Sequence, residues 1–163
     1  MTKPDLQELY NEHIKYECEM LVCTDQMLRL IPVPYPVGNA LIESFCFHAR
    51  CLIEFFDSKY LTTSLFVDSS YKPWTSGRVP TLLAKKLNTQ VAHLTAHRVA
   101  DSNKKIGVED RAKLLSCISQ EVDHFCSHLK PQFDPNVLIR AISIKLIVLT
   151  PTTPSTTNAI QIS

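Results

Sequence analysis

The chain has 163 residues, 45% of them hydrophobic and 20% charged, with a net charge of +1. That is the size and composition of one globular domain able to bury roughly 70% of its unfolded surface. The near-neutral charge makes no case for a nucleic-acid partner by itself, three glycines argue against a sandwich or barrel, and no run reaches the roughly 18 apolar residues of a membrane span.

Pro4 and Asp5 predict the start of a first helix, since proline is tolerated in a first turn and an acid there favours the positive end of the dipole. Leu6, Leu9, Tyr10, Ile14, Leu21 and Leu28 recur at near-helical spacing as far as Leu30. The run Pro32-Val-Pro34-Tyr-Pro36 must end it, because proline lacks a donor and biases the residue before it toward extended geometry. A second helix of about five turns follows from Asn39 to Asp57, with no Gly or Pro inside it. Leu41, Phe45, Leu52, Phe55 and Phe56 share its apolar face, and Asn39, Glu43, Arg50, Glu54 and Asp57 line the opposite side with Cys46 among them. His48 falls within the apolar face, where burial favours the neutral imidazole and calls for a hydrogen-bond partner from another helix.

Ser58 to Val79 is too long to be an idle loop in a compact domain, and its apolar residues predict a lid over the bundle. Asp68 and Trp74 then edge a pocket, or Trp74 plugs the end of the bundle as large aromatics commonly do. A third helix is expected from Pro80 to Val99, with Leu83, Leu87, Val91 and Leu94 on one stripe and Arg98 continuing it. Arg98 either pairs with Glu43 or Glu54 across the helices or lies in the final turn and reaches water. Val108 to Leu129 predicts a fourth helix with a stripe of Leu114, Ile118, Val122, Phe125 and Leu129. After Asp134-Pro135, the run VLIRAISIKLIVLT fits a short fifth helix or a strand, and residues 151–163, rich in Thr, Ser and Pro, predict a disordered tail. The expected fold is all-α: a four- to five-helix up-down bundle over residues 1–150, with a long lid-like connection between helices two and three.

Charge is uneven along this frame. Residues 1–30 carry six acids against three bases, and residues 78–105 carry six bases against one acid. This implies either a solvated flank balanced by the acidic first helix or a phosphate-binding surface. The six cysteines include no Cys-x-x-Cys pair and read as free thiols in a reducing cytosol. His93 with His97, and His124 with His128, have the i,i+4 spacing that can bridge a metal. Both pairs lie off the apolar stripes without an acid in a zincin pattern, so surface histidines and no metal or cofactor are expected. Phosphate loops, dinucleotide motifs and a nucleophile elbow are absent from the sequence.

What remains is Asn39, Glu43, His48 and Arg50 on the second helix with His93 and Arg98 on the third. The segments NALIESFCFHARCLIEFF and NTQVAHLTAHR, with Asp68 and Trp74 between them, resemble an uncharacterised family of small bacterial all-α proteins. The bundle is also similar to the HEPN superfamily, whose members include RNA-cutting toxins and non-catalytic partners. The resemblance covers residues 38–100. It implies a cytoplasmic, HEPN-like binding or regulatory module for RNA or protein, with self-association as a homodimer among its expected partners. Asn39, Glu43, His48, Asp68 and Trp74 are then its candidate binding residues.

The alternative is a metal-independent ribonuclease using Arg50, His93 and Arg98, in which Arg stabilises a phosphorane and His moves protons. The HEPN catalytic signature, an Arg followed by a His with four to six residues between them, is not met: Arg50 meets Phe55, Phe56 and Asp57 at that distance, Arg98 meets Asn103, Lys104 and Lys105, and the order here is His93-x4-Arg98 instead. The two readings differ in what they require. An enzyme needs these polar groups to converge in an accessible cleft, whereas a module allows them to be buried and mutually satisfied.

Overall fold

Asp5 opens the first helix as its position predicts. Its Oδ1 accepts the N–H groups of Gln7 at 2.9 Å and Glu8 at 3.3 Å, two donors that a helix start leaves without partners. The computed structural model describes residues 5–30, 33–57, 63–75, 78–92 and 105–145. Helix α1 (Leu6–Glu8) runs through a π-helical stretch (Leu9–Ile14) into α2 (Lys15–Leu30). The π stretch turns both Tyr10 and Ile14 into the core, and the Tyr10 hydroxyl donates to the Asp134 carbonyl at 2.9 Å.

Helix α3 (Val37–Phe56) starts two residues before Asn39 and ends where Asp57 becomes extended. Phe45, Leu52 and Phe56 are buried as their spacing predicts, and so is His48. Cys46 departs from expectation: assigned to the polar strip, it is fully buried. The reason is that α3 is central. It packs on α2, on α4 (Thr81–Ala92) and on α5 (Val108–Cys126), so its buried arc is wider than that of a helix covered on one side only.

Helix α4 buries Leu83 and Leu87 as predicted; its expected continuation to Val99 lies outside the described residues. Helix α5 buries Leu114, Ile118, Val122 and Phe125 but stops at Cys126 rather than Leu129. Leu129 instead pairs with Val67 in an isolated antiparallel bridge, flanked by Asp68 N–H to His128 O at 3.0 Å and Lys130 N–H to Phe66 O at 2.9 Å. Residues 146–150 of the segment that fits a helix or a strand lie outside the described residues, and its first part forms α6 (Asn136–Ile142). Asp134 Oδ1 accepts the Asn136 N–H at its start, at 3.0 Å. The tail at 151–163 lies outside the described residues.

The helices run up and down. Glu17 of α2 meets His48 of α3, Asp25 of α2 meets Arg111 at the start of α5, and Lys86 of α4 meets Asp110 of α5. The first two contacts join early α2 to late α3 and late α2 to the start of α5, and so set α2 opposite in direction to both. Helix α6 closes the remaining side against α2 and α5. The long connection between α3 and α4 caps one end, where Phe55, Phe56, Phe66, Phe125, Tyr10 and Phe133 form one aromatic cluster with centroid separations of 5.1 to 6.3 Å, the range in which ring pairs attract beyond simple burial. Among the described residues, no helix is long and apolar enough to cross a membrane.

Two salt bridges connect helices with different force. Arg111 and Asp25 are each under 5% exposed, and Arg111 Nε lies 2.9 Å from Asp25 Oδ1 while Arg29 Nε lies 2.6 Å from Oδ2. Arg111→Ala should therefore destabilise the fold by about 3–5 kcal/mol, by leaving a buried carboxylate short of its partner. Arg111→Met paired with Asp25→Leu should recover much of the loss, and urea unfolding measures both.

Lys86 and Asp110 are more exposed and contribute less. Burial pushes the Asp110 pKa up, but the Gly107 N–H and the Lys86 ammonium outweigh it and hold the carboxyl below its ordinary 3.8. A depressed carboxylate stabilises the fold above its unfolded pKa and loses that contribution as pH falls through the folded one. In an NMR titration Asp110 should have a midpoint below 3.8, and Lys86→Ala should move it upward.

Candidate functional site

The candidate residues of α3 separate into an inside and an outside. His48 is 5% exposed, and its Nδ1 lies 2.7 Å from Glu17 Oε2, so the partner it needed comes from α2. Arg50, two residues on, points away and gives its Nε to Glu54 Oε1 at 2.7 Å, one turn along the same helix. Asn39 and Glu43 lie on the exposed strip of α3. His93 and Arg98 fall outside the described residues, and with them the expected pairing of Arg98 with Glu43 or Glu54.

Asp68 and Trp74 belong to a second constellation at the other end of α3. Trp74 packs edge-on against Phe56 with ring centroids 6.0 Å apart, and Phe56 is eight residues, roughly 12 Å, along α3 from His48. Trp74 is half-buried in the bundle end and tied there through its backbone. Its N–H donates to Glu121 Oε2 at 2.9 Å, and the Tyr71 hydroxyl donates to Glu121 Oε1 at 2.5 Å. Glu121 itself is fully buried. Burial, followed by the carboxylate beside it, pushes the Tyr71 phenol far above its ordinary pKa, so it stays a donor. Trp74 has φ 60°, a left-handed conformation that is costly for a bulky residue. Such strain is on the order of 1–3 kcal/mol, and the Glu121 bond and the Phe56 contact hold it in place.

His124 of α5, and His128 just beyond the end of that helix, line the rim of this constellation. His124 and His128 have ring centroids 4.6 Å apart, and Tyr71 stacks on His124 at 5.2 Å. They are half-buried rather than free on the surface, because the lid segment packs along the flank of α5 beside its apolar stripe. His124 Nε2 lies 3.1 Å from the Lys72 carbonyl and 2.9 Å from Thr75 Oγ1; since a carbonyl only accepts, this nitrogen carries the proton. By the same logic His128 Nδ1 donates to the His124 carbonyl at 2.9 Å. Asp68 is exposed and accepts both the Ser70 hydroxyl and N–H, which hold its pKa low. These bonds fold the lid onto α5 rather than aim groups at a shared point.

Other routes to chemistry have little support. Among the described residues, no group of three His, Cys, Asp or Glu side chains is placed to hold a metal. All six cysteines are free thiols. Burial raises the thiol pKa of Cys46 to about 12, Cys126 to about 12 and Cys51 to about 11, the reverse of an activated nucleophile. A groove of about 500 Å³ between α2 and α6 is lined by Asn11, Lys15, Glu19 and Arg140 among others, none of them a candidate residue.

Sequence reasoning missed Asp25, Arg111 and Glu121, the charged residues most deeply buried. A signal for two of them was present. Arg111 precedes Leu114 by three and Ile118 by seven, and Glu121 follows the same residues by seven and three, so both stand on the apolar stripe of α5. No family model matches the chain, and no curated protein or solved structure is significantly similar to it. Tyr71→Phe should leave one Glu121 oxygen buried without a donor, at a cost of about 1–3 kcal/mol. Urea unfolding followed through the fluorescence of Trp74, the only tryptophan, should show the loss as a lowered midpoint.

Proposed function

We propose that this chain is a cytoplasmic, HEPN-like helical-bundle module that binds RNA or a protein partner in a regulatory role. The observation that carries this reading is the closure of its polar groups. Arg111 is spent on Asp25, His48 on Glu17, Glu121 on the lid, and Arg50 on Glu54. Among the described residues, no buried side-chain nitrogen or oxygen lacks a partner. A bundle whose charges are used internally has its outer surface left for recognition, and a general acid or base would need a group free to exchange protons with substrate. For RNA, the exposed Arg78, Lys85 and Lys105 supply basic side chains around α4 and the start of α5, suited to phosphate contacts without base readout.

Purification of the full chain from native lysate, with identification of bound RNA and protein, tests the proposal. The expected result is retained RNA or a stoichiometric protein, together with binding of a labelled single-stranded RNA that stays intact in EDTA. Cleavage of that RNA in EDTA, lost in Arg50→Ala, would favour the metal-independent ribonuclease built on Arg50, His93 and Arg98. Recovery of the chain with neither RNA nor protein, and no binding of the labelled RNA, would overturn the module.

A further inference from the structure

Helix α6 is fastened at both of its ends. The Tyr10 hydroxyl holds the Asp134 carbonyl just before it at 2.9 Å, and Gln26 Nε2 of α2 donates to the Ile144 carbonyl just after it at 2.6 Å. Between these two clamps lies the groove of about 500 Å³, a volume within the roughly 300–1,000 Å³ of small-molecule sites. Because both ends are tied, the walls are in place before anything enters, and a ligand does not have to order them.

The two walls differ in chemistry. Val137 and Ala141 of α6, with Ile144 just beyond it, make one wall apolar. Asn11 of the π-helical stretch, with Lys15 and Glu19 of α2, makes the other polar. Lys15 Nζ lies 3.1 Å from Glu19 Oε1, so these two charges answer each other. Arg140 is different: it is exposed on the apolar side of the groove, and it forms no ion pair with another described residue. The carboxylate that feels it, Asp134, is already engaged, with Oδ1 accepting the Asn136 N–H at 3.0 Å and the Asn136 side-chain amide at 2.8 Å. Those two bonds, the backbone one first, hold the Asp134 carboxyl below its ordinary pKa, and Arg140 adds the smallest contribution.

The groove therefore presents hydrocarbon beside one cation that has no counter-charge. A guanidinium meets a carboxylate through two parallel hydrogen bonds, and an apolar wall next to it favours a ligand that brings hydrocarbon out of water. We propose that the groove between α2 and α6 is a binding site for an amphipathic monocarboxylate, an unbranched hydrocarbon chain whose acid head meets Arg140 and whose chain lies along Val137, Ala141 and Ile144. A dianion such as a phosphate monoester is disfavoured, because its second charge faces Glu19 with only an already paired Lys15 to offset it. The inference goes beyond the reading of the chain as an RNA- or protein-binding module and stands apart from it. Arg78, Lys85 and Lys105 do not line the groove, so labelled RNA reports on one site and a fatty carboxylate on the other.

Calorimetric titration of the full chain with dodecanoate should give one site with a dissociation constant of about 100 µM or tighter, which a ligand of that size allows. Butanoate keeps the head without the chain, and dodecyltrimethylammonium keeps the chain with the charge reversed; each should bind at least about tenfold more weakly. In NMR spectra dodecanoate should shift the methyl signals of Val137 and Ile144 and leave those of Leu82 on α4 in place. Arg140→Glu should weaken binding about tenfold or more, and Asn11→Trp, which fills the groove from the opposite wall without a change of charge, should block it. Lys113→Glu, at an exposed position of α5 outside the groove, should leave the affinity unchanged. Helical circular dichroism checks each variant, and Arg140→Gln serves if Arg140→Glu does not fold. A chain that binds no dodecanoate up to about 1 mM, far above the expected constant, overturns the inference. So does an affinity indifferent to both Arg140→Glu and Asn11→Trp, or one equalled by the cationic detergent, since either means adherence to apolar surface in general.

Discussion

Two opposite charges buried in one helix decide how the other elements must pack. Arg111 and Glu121 lie ten residues apart on α5, roughly 15 Å along its axis, and both are withdrawn from water. Neither can be met by α5 itself, so each draws a partner from elsewhere. Asp25 comes from the far end of α2 to one, and the lid between α3 and α4 brings a phenol and a backbone N–H to the other. Against an apolar pair of the same shape such contacts add little stability, yet any arrangement that separates them costs several kcal/mol. They act by excluding alternatives, while the aromatic cluster at the end of α5 supplies the apolar burial.

The helices were legible because their apolar spacing is long and regular. Phe45, Leu52 and Phe56 on α3, Leu83 and Leu87 on α4, and the stripe of α5 are buried where a 3.6-residue period puts them. His48 was legible too, since a polar residue on an apolar face demands a partner, although nothing local identified Glu17. What periodicity could not convey was contact between distant segments. The end of α5 at Cys126 depends on Leu129 pairing with Val67, sixty-two residues earlier, and local pattern favours more helix there. Cys46 was misplaced because a two-sided helical wheel does not describe a helix with three neighbours. Asp25 sits beside the buried Leu21 and Val22, but an acid late in an acidic helix reads as surface until Arg111 is brought to it.

The same comparison explains why fold is clearer than function. A bundle core leaves a repeating signal over many residues, whereas a binding surface is a few side chains with no period of their own. Candidate residues chosen as polar groups on helices came apart into two sets with different tasks. His48 and Arg50 stabilise or decorate the α2–α3 pair, and Asp68 and Trp74 fasten the lid. Trp74 in particular holds a left-handed backbone by means of its neighbours, which is a structural use of a residue that composition alone marks as conspicuous.

Four of the six cysteines, Cys18, Cys46, Cys117 and Cys126, are buried at helix contacts. They are spread over α2, α3 and α5, so a thiol reagent that enters only when the chain opens times each interface separately. Cys18 reports α2 leaving the core, and Cys126, whose Sγ lies 3.7 Å from the Pro135 carbonyl, reports the start of α6 leaving α5. The bundle thus carries its own set of clocks for local opening, and oxidants that modify thiolates will reach these four mainly in molecules that have already come apart.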